Sequence, residues 1–203
     1  MDFSVEMALV DYIPVIFFAV AGVILMRDLR NKMSTINFLI FSLGTSAVAV
    51  AGACKATWKL IYAATETDVI FLNKMFFPTQ SIGFLLAGIG ILLMLTSGSR
   101  KNRLLSAPPV FSGTFVFVGL MVAGLGVLDT VLCIISHKLR RPAVIALFVL
   151  SFVCSLCMGY LSSQDFAEAA MNWIAEGVNV VGQGTLLCGT VLLHKRGLPE
   201  LEL

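Results

Sequence analysis

Residues 33–54 read MSTINFLIFSLGTSAVAVAGAC and carry no Asp, Glu, Lys or Arg. A helix needs about 20 apolar residues, at 1.5 Å each, to cross the roughly 30 Å hydrocarbon layer of a bilayer. This stretch meets that length. Three more charge-free stretches do so as well: Met75 to Ser99, Leu104 to Leu128 and Pro142 to Gln164. Two others reach it with one carboxylate inside, Met7 to Met26 around Asp11 and Met171 to Leu193 around Glu176. The expected fold class is therefore an all-α integral membrane protein, with six transmembrane helices in a single transmembrane domain over residues 1–203.

Composition points the same way. The chain is 58% hydrophobic and only 13% charged over 203 residues, whereas soluble domains are about a quarter charged. Disordered, collagen-like, coiled-coil and small disulfide-framework classes are excluded by the low polarity and by the lack of a Gly-X-Y or charged heptad period. A net charge of +2, spread over loops without a basic stripe, excludes nucleic acid as a partner. The expected partner is the lipid bilayer. The N-terminal stretch holds Asp2 and Glu6 but no Lys or Arg, so it lacks the basic region of a cleavable signal, and the first segment is expected to stay in the membrane.

Splitting the chain at Ser106-Ala107-Pro108-Pro109 leaves two halves of three segments each, about 7–99 and 104–196, joined by a short loop that is basic and contains proline. At an offset of 99 residues Asn73 falls on Asn172, Gln80 on Asn179, Gly83 on Gly182, Gly90 on Gly189 and Glu66 on Asp165. Phe77 against Glu176 and Phe84 against Gln183 break the match. Charged loops repeat too: Arg27, Arg30 and Lys32 follow the first segment as Lys138, Arg140 and Arg141 follow the fourth, and Arg100-Lys101-Arg103 and Lys195-Arg196 close the halves. Three crossings per half turn the second half upside down, so the expected arrangement is an inverted 3+3 repeat with both termini on one face. The matching clusters then cancel the positive-inside signal, and no orientation follows.

Polar side chains in lipid need a partner, a cavity or a lumen. Asn172, Glu176, Asn179 and Gln183 are spaced 4, 3 and 4 residues apart, which places them on one helix face. At 1.5 Å per residue this stripe reaches roughly 16 Å into the membrane. Asn73, Phe77, Gln80 and Phe84 repeat the spacing on the third segment, with two aromatics where the sixth has polar groups, and Pro78 interrupts the backbone ladder there. The eight residues form the expected substrate-binding site. In an inverted repeat the two stripes enter from opposite faces and meet near the midplane. One carboxylate, several amides and two aromatics suit a small amphipathic or planar solute better than a bare ion. Asp129 and Lys55, at similar depth on the fourth and second segments, are expected to pair. Lys55 and Lys59, beside Trp58 and Tyr62, also read as a snorkelling, aromatic-belt boundary, and Asp11 reads as interfacial.

Other chemistry finds no support. Cys54, Cys133, Cys154, Cys157 and Cys188 all lie in apolar segments, and Cys154-Ser-Leu-Cys157 has neither the cation nor the helix N-terminus that activates a thiol. His137 and His194 stand in basic clusters, away from other metal-ligating residues. There is no Ser-His-Asp, H-E-x-x-H or phosphate-binding motif, so neither a cofactor nor a metal is expected. Small-residue faces at Gly83/Ala87, Ala47/Ala51 and Gly119/Ala123/Gly126 serve helix packing or a homodimer. Three functions remain open: a small solute translocator with its site between the third and sixth helices, a non-transporting sensor or accessory subunit whose polar stripe meets a partner subunit, and an intramembrane enzyme using Glu176 as acid or base.

Overall fold

The computed structural model describes residues 4–96, 114–161 and 169–201, and these form helices with no strand among them. Helices are forced by the solvent, since a bilayer offers no water to backbone N–H and C=O groups. Six long segments result: α1 (Val5–Val10) with α2 (Tyr12–Leu29), α3 (Thr35–Thr65), α4 (Ile70–Lys74) with α5 (Phe76–Thr96), α6 (Thr114–Lys138), α7 (Pro142–Leu161) and α8 (Ala169–Lys195). Five of the segments are long and apolar enough to cross a membrane. The sixth, α8, has 27 residues but carries the polar stripe, which lowers its hydropathy. Segment α6 is described from Thr114 and runs through Asp129 to Lys138, because a charge buried in a span does not end it.

Two segments are broken, and by the same device. Pro14 has no N–H for the carbonyl of Val10, and Pro78 has none for that of Lys74. The breaks fall three residues before each proline, at Asp11 between α1 and α2 and at Met75 between α4 and α5. Capping is ordinary elsewhere. Ser4 Oγ accepts from the Met7 N–H at 3.2 Å and Ser34 Oγ from the Asn37 N–H at 3.2 Å.

The long helices close into a ring in the order α2, α3, α5, α6, α7, α8 and back to α2. The upper end is taken as the end where α2 starts and α3 finishes. Tyr12 Oη bonds Thr57 Oγ1 at 2.8 Å near that end, and Gly52 packs on Val15 while Gly22 packs on Thr45, so α3 runs back against α2. Gly83 against Val48 and Gly90 against Phe41 make α5 antiparallel to α3. In the second half, Gly126 meets Phe152 and Gly159 meets Val118, so α6 and α7 are antiparallel; Gly182 meets Cys154 and Gly189 meets Phe148, so α7 and α8 are too. Finally Gly184 faces Phe17 and His194 bonds Asp28, which sets α8 parallel to α2.

These contacts correct the inverted repeat. Helices α2, α5, α6 and α8 run downward, whereas α3 and α7 run upward, so the two triplets have the same sense. The 99-residue correspondence survives as an equivalence of position. A Cβ on Gly83 would stand 2.8 Å from Val48 Cγ2, and one on Gly182 would stand 2.9 Å from Cys154 Cβ. Gly90 on Phe41 is likewise matched by Gly189 on Phe148. Residues 97–113, with Arg100, Lys101, Arg103 and Pro108-Pro109, lie outside the described residues. Both chain ends are also displaced from expectation. Ser4 caps α1 at the upper end, while Lys32 Nζ bonds the carbonyls of Pro199 and Leu201 at the lower end. Asp165 and Glu168 lie outside the described residues.

The lower half is a continuous apolar core that includes Leu25, Leu29, Phe41, Ile91, Leu132 and Leu186. Its end is latched by Asp28, whose side chain is 2% exposed and accepts from His194 Nδ1 at 2.8 Å, with Arg27 Nη2 2.9 Å from His194 Nε2. His194 is therefore half-buried in an inter-helix contact. The Gly83/Ala87 face, a candidate dimer surface in the sequence, is spent inside the chain, where it packs on Gly44 and Val48 of α3.

The direction of the halves is open to a labelling test. Single cysteines at Ser4 and at Glu200, in a background free of native cysteine, are expected to react with an impermeant maleimide from opposite sides of the membrane. Reaction of both from one side would restore the inverted arrangement.

Candidate functional site

A cavity of about 340 Å³ occupies the upper half of the ring. The upper parts of α2, α3, α4–α5 and α8 wall it, and α7 contributes Met158. All eight expected site residues line it: Asn73, Phe77, Gln80 and Phe84 from α4–α5, and Asn172, Glu176, Asn179 and Gln183 from α8. Their meeting differs from expectation in one respect. Both stripes descend from the upper end, with Asn73 and Asn172 near the rim, because the halves share one sense. Phe84 packs edge-on against Phe18 with ring centroids 5.5 Å apart, and this pair forms the floor above the apolar core.

Sequence reasoning missed half of the charge in this site. Lys59 and Asp11 both line the cavity. The Lys59 ammonium contacts Asp11 Oδ2 and lies 3.7 Å from Glu176 Oε2, with all three side chains no more than 15% exposed. Two carboxylates thus share one ammonium. The break before Pro14 places Asp11 at the joint of α1 and α2, and four residues of α3 separate Lys59 from Lys55, so both ammoniums are on one helix face. Trp58 is buried, its indole N–H donating to Asp68 Oδ1 at 2.8 Å. The one signal available was the recurrence of Asp11, Lys59 and Glu176 near the same end of three segments.

The expected pair of Asp129 with Lys55 is not formed. Lys55 Nζ donates to Asn73 Oδ1 at 2.6 Å and stands 4.3 Å above the Trp58 ring and 5.6 Å from that of Phe76. Asp129 lies on α6, outside the cavity, 3% exposed and with neither carboxylate oxygen hydrogen-bonded. Depth alone put these two side chains together. They belong to helices separated by α5 in the ring.

Three further buried acceptors lack a partner in the cavity wall: Asp11 Oδ1, Glu176 Oε1 and Gln183 Oε1. An unpaired buried polar atom costs about 1–3 kcal/mol. No group of three or more His, Cys, Asp or Glu side chains that could hold a metal ion occurs among the described residues. The five cysteines are free, with Cys154 buried and Cys157 exposed. Comparison of the chain with known protein families, with curated proteins and with solved structures finds no match.

Two substitutions separate paired from unpaired buried charge. Lys59→Met leaves two carboxylates without their counter-charge and is expected to lower stability by about 3–5 kcal/mol, with part of the loss recovered in Lys59→Met/Glu176→Gln. Asp129→Leu removes an unsatisfied carboxylate from an apolar site and is expected to raise Tm in detergent; a lower Tm would mean that Asp129 has a partner there.

Proposed function

We propose that this membrane protein binds a small amphipathic solute in the upper cavity and translocates it across the bilayer. One observation carries the reading: two polar stripes from the third helix of each half converge on one cavity of about 340 Å³, within the roughly 300–1,000 Å³ of small-molecule sites. Helix packing alone does not require such a void. Interhelical amides that serve only as packing contacts bond across a closed interface, whereas here Asn179 and Gln183 line a cavity.

Orientation becomes accessible once the halves share one sense. Of the described Lys and Arg residues, Arg27, Arg30, Lys32, Lys138, Arg140, Arg141, Lys195 and Arg196 stand at the lower end, against Lys55, Lys59 and Lys74 in the upper half. Two of those three are turned into the cavity. By the positive-inside rule this count supports a cytoplasmic lower end and a cavity open to the opposite compartment. The same geometry supports a second reading, a sensor of an external solute, because the apolar core beneath Phe18 and Phe84 is unbroken.

A thermal-shift screen of small polar solutes on detergent-purified protein tests the site. Stabilising compounds are expected, and Asn179→Trp, which fills the cavity, is expected to remove the shift while the protein stays folded. Uptake of the stabilising compound into proteoliposomes then separates the two readings: accumulation supports translocation, and binding without flux supports sensing. Shifts that persist in Asn179→Trp place the solute elsewhere and overturn the proposal.

A further inference from the structure

The charges in the cavity are equal in number but unequally placed, and this limits what the cavity can hold. On the α2 and α8 side, the carboxylates of Asp11 and Glu176 share the single ammonium of Lys59. That side holds two carboxylates to one ammonium among the described residues, and the Asp11 and Glu176 carboxyls lie within hydrogen-bonding reach of each other. On the α4–α5 side, Lys55 bonds a neutral amide oxygen, that of Asn73, at 2.6 Å and faces two aromatic rings. No acidic group pairs with it among the described residues. Separated uncompensated charges of opposite sign in a site of low dielectric attract far more strongly than in water, and each is best met by a ligand group of the other sign.

We propose that the solute is a zwitterion with a primary ammonium and a carboxylate close together, carried on a small apolar body: the chemistry of an apolar α-amino acid. This rests on the solute-site reading above and narrows it. The ammonium meets the side of the cavity lined by the Asp11 and Glu176 carboxylates. The carboxylate meets Lys55 in charge-assisted hydrogen bonds. The apolar body lies against Phe77, Phe84 and Phe18, which close the floor. A bare amine leaves Lys55 without its counter-charge, and a bare acid leaves the Asp11–Glu176 side unmatched. A polyol offers donors but matches neither charge.

The test compares L-leucine with its two halves in the detergent-purified protein: isopentylamine, which lacks the carboxylate, and 4-methylpentanoate, which lacks the ammonium, with sorbitol as the uncharged donor-rich probe. L-leucine is expected to raise Tm, with half-maximal shift at a concentration at least about tenfold lower than for either half. Lys55→Met is expected to erase the preference for leucine over isopentylamine, and Glu176→Gln the preference over 4-methylpentanoate. The wild-type comparison stands by itself if either variant fails to fold. If isopentylamine, 4-methylpentanoate or sorbitol matches or exceeds leucine, and Asn179→Trp abolishes its effect, the zwitterion is overturned while the solute site remains. If none of the four probes shifts Tm, the zwitterion is overturned and the solute screen alone decides the site.

Discussion

Water is absent from the hydrocarbon layer, so every polar group carried into it must be answered by another group of the protein. The contact of Lys59 with Asp11 and Glu176 is where this constraint acts most strongly. It ties α3 to the joint of α1 and α2 and to α8, across the mouth of the ring. Without it, two carboxylates would stand in low dielectric at a cost of several kcal/mol each. With it, the upper half can stay open around a void while the lower half closes on Leu, Ile and Phe side chains. The prolines at positions 14 and 78 belong to the same arrangement, because the joint before Pro14 places Asp11 within reach of Lys59.

Much of the site was legible in the sequence, and for a physical reason. Asn172, Glu176, Asn179 and Gln183 repeat at helical spacing in an otherwise apolar run, and such a face cannot rest against lipid. The same held for Asn73 and Gln80, and the offset between the stripes identified Phe77 and Phe84. Asp11 and Lys59 were legible only as charges near segment ends, where a snorkelling side chain and a buried ion pair look alike; the difference lies in which helices adjoin. Adjacency is a property of the ring and leaves no periodic trace. Asp129 misled for a related reason, since depth can be counted along a helix but azimuth around the bundle cannot.

Direction was the larger misreading. An odd number of crossings per half inverts the second half only if the linker begins and ends on one face, and no local pattern in 97–113 reveals where its ends lie. The contacts between the halves do, because Gly184 faces Phe17 and His194 bonds Asp28, which sets α8 parallel to α2. Against this shared scaffold the halves differ where the cavity is. Phe77 and Phe84 on α5 stand where Glu176 and Gln183 stand on α8. The packing surfaces repeat, whereas the cavity is deliberately unlike on its two sides, and the separation of its charges depends on that difference.

Halves of one sense are related by a rotation about an axis running along the bundle, whereas inverted halves need an axis lying in the membrane plane. The distinction reaches back to how such a chain can arise. An inverted pair descends from a polypeptide that inserts both ways round. A pair like this one requires only a half-length chain inserted in a single orientation, closing its ring with a second copy as a cyclic dimer. Such a dimer is bound to present two identical walls, one from each copy, and can hold only a site with matching sides. A single chain is free of that restriction, and a carboxylate on one wall opposite an aromatic ring on the other is an arrangement open only to the joined chain.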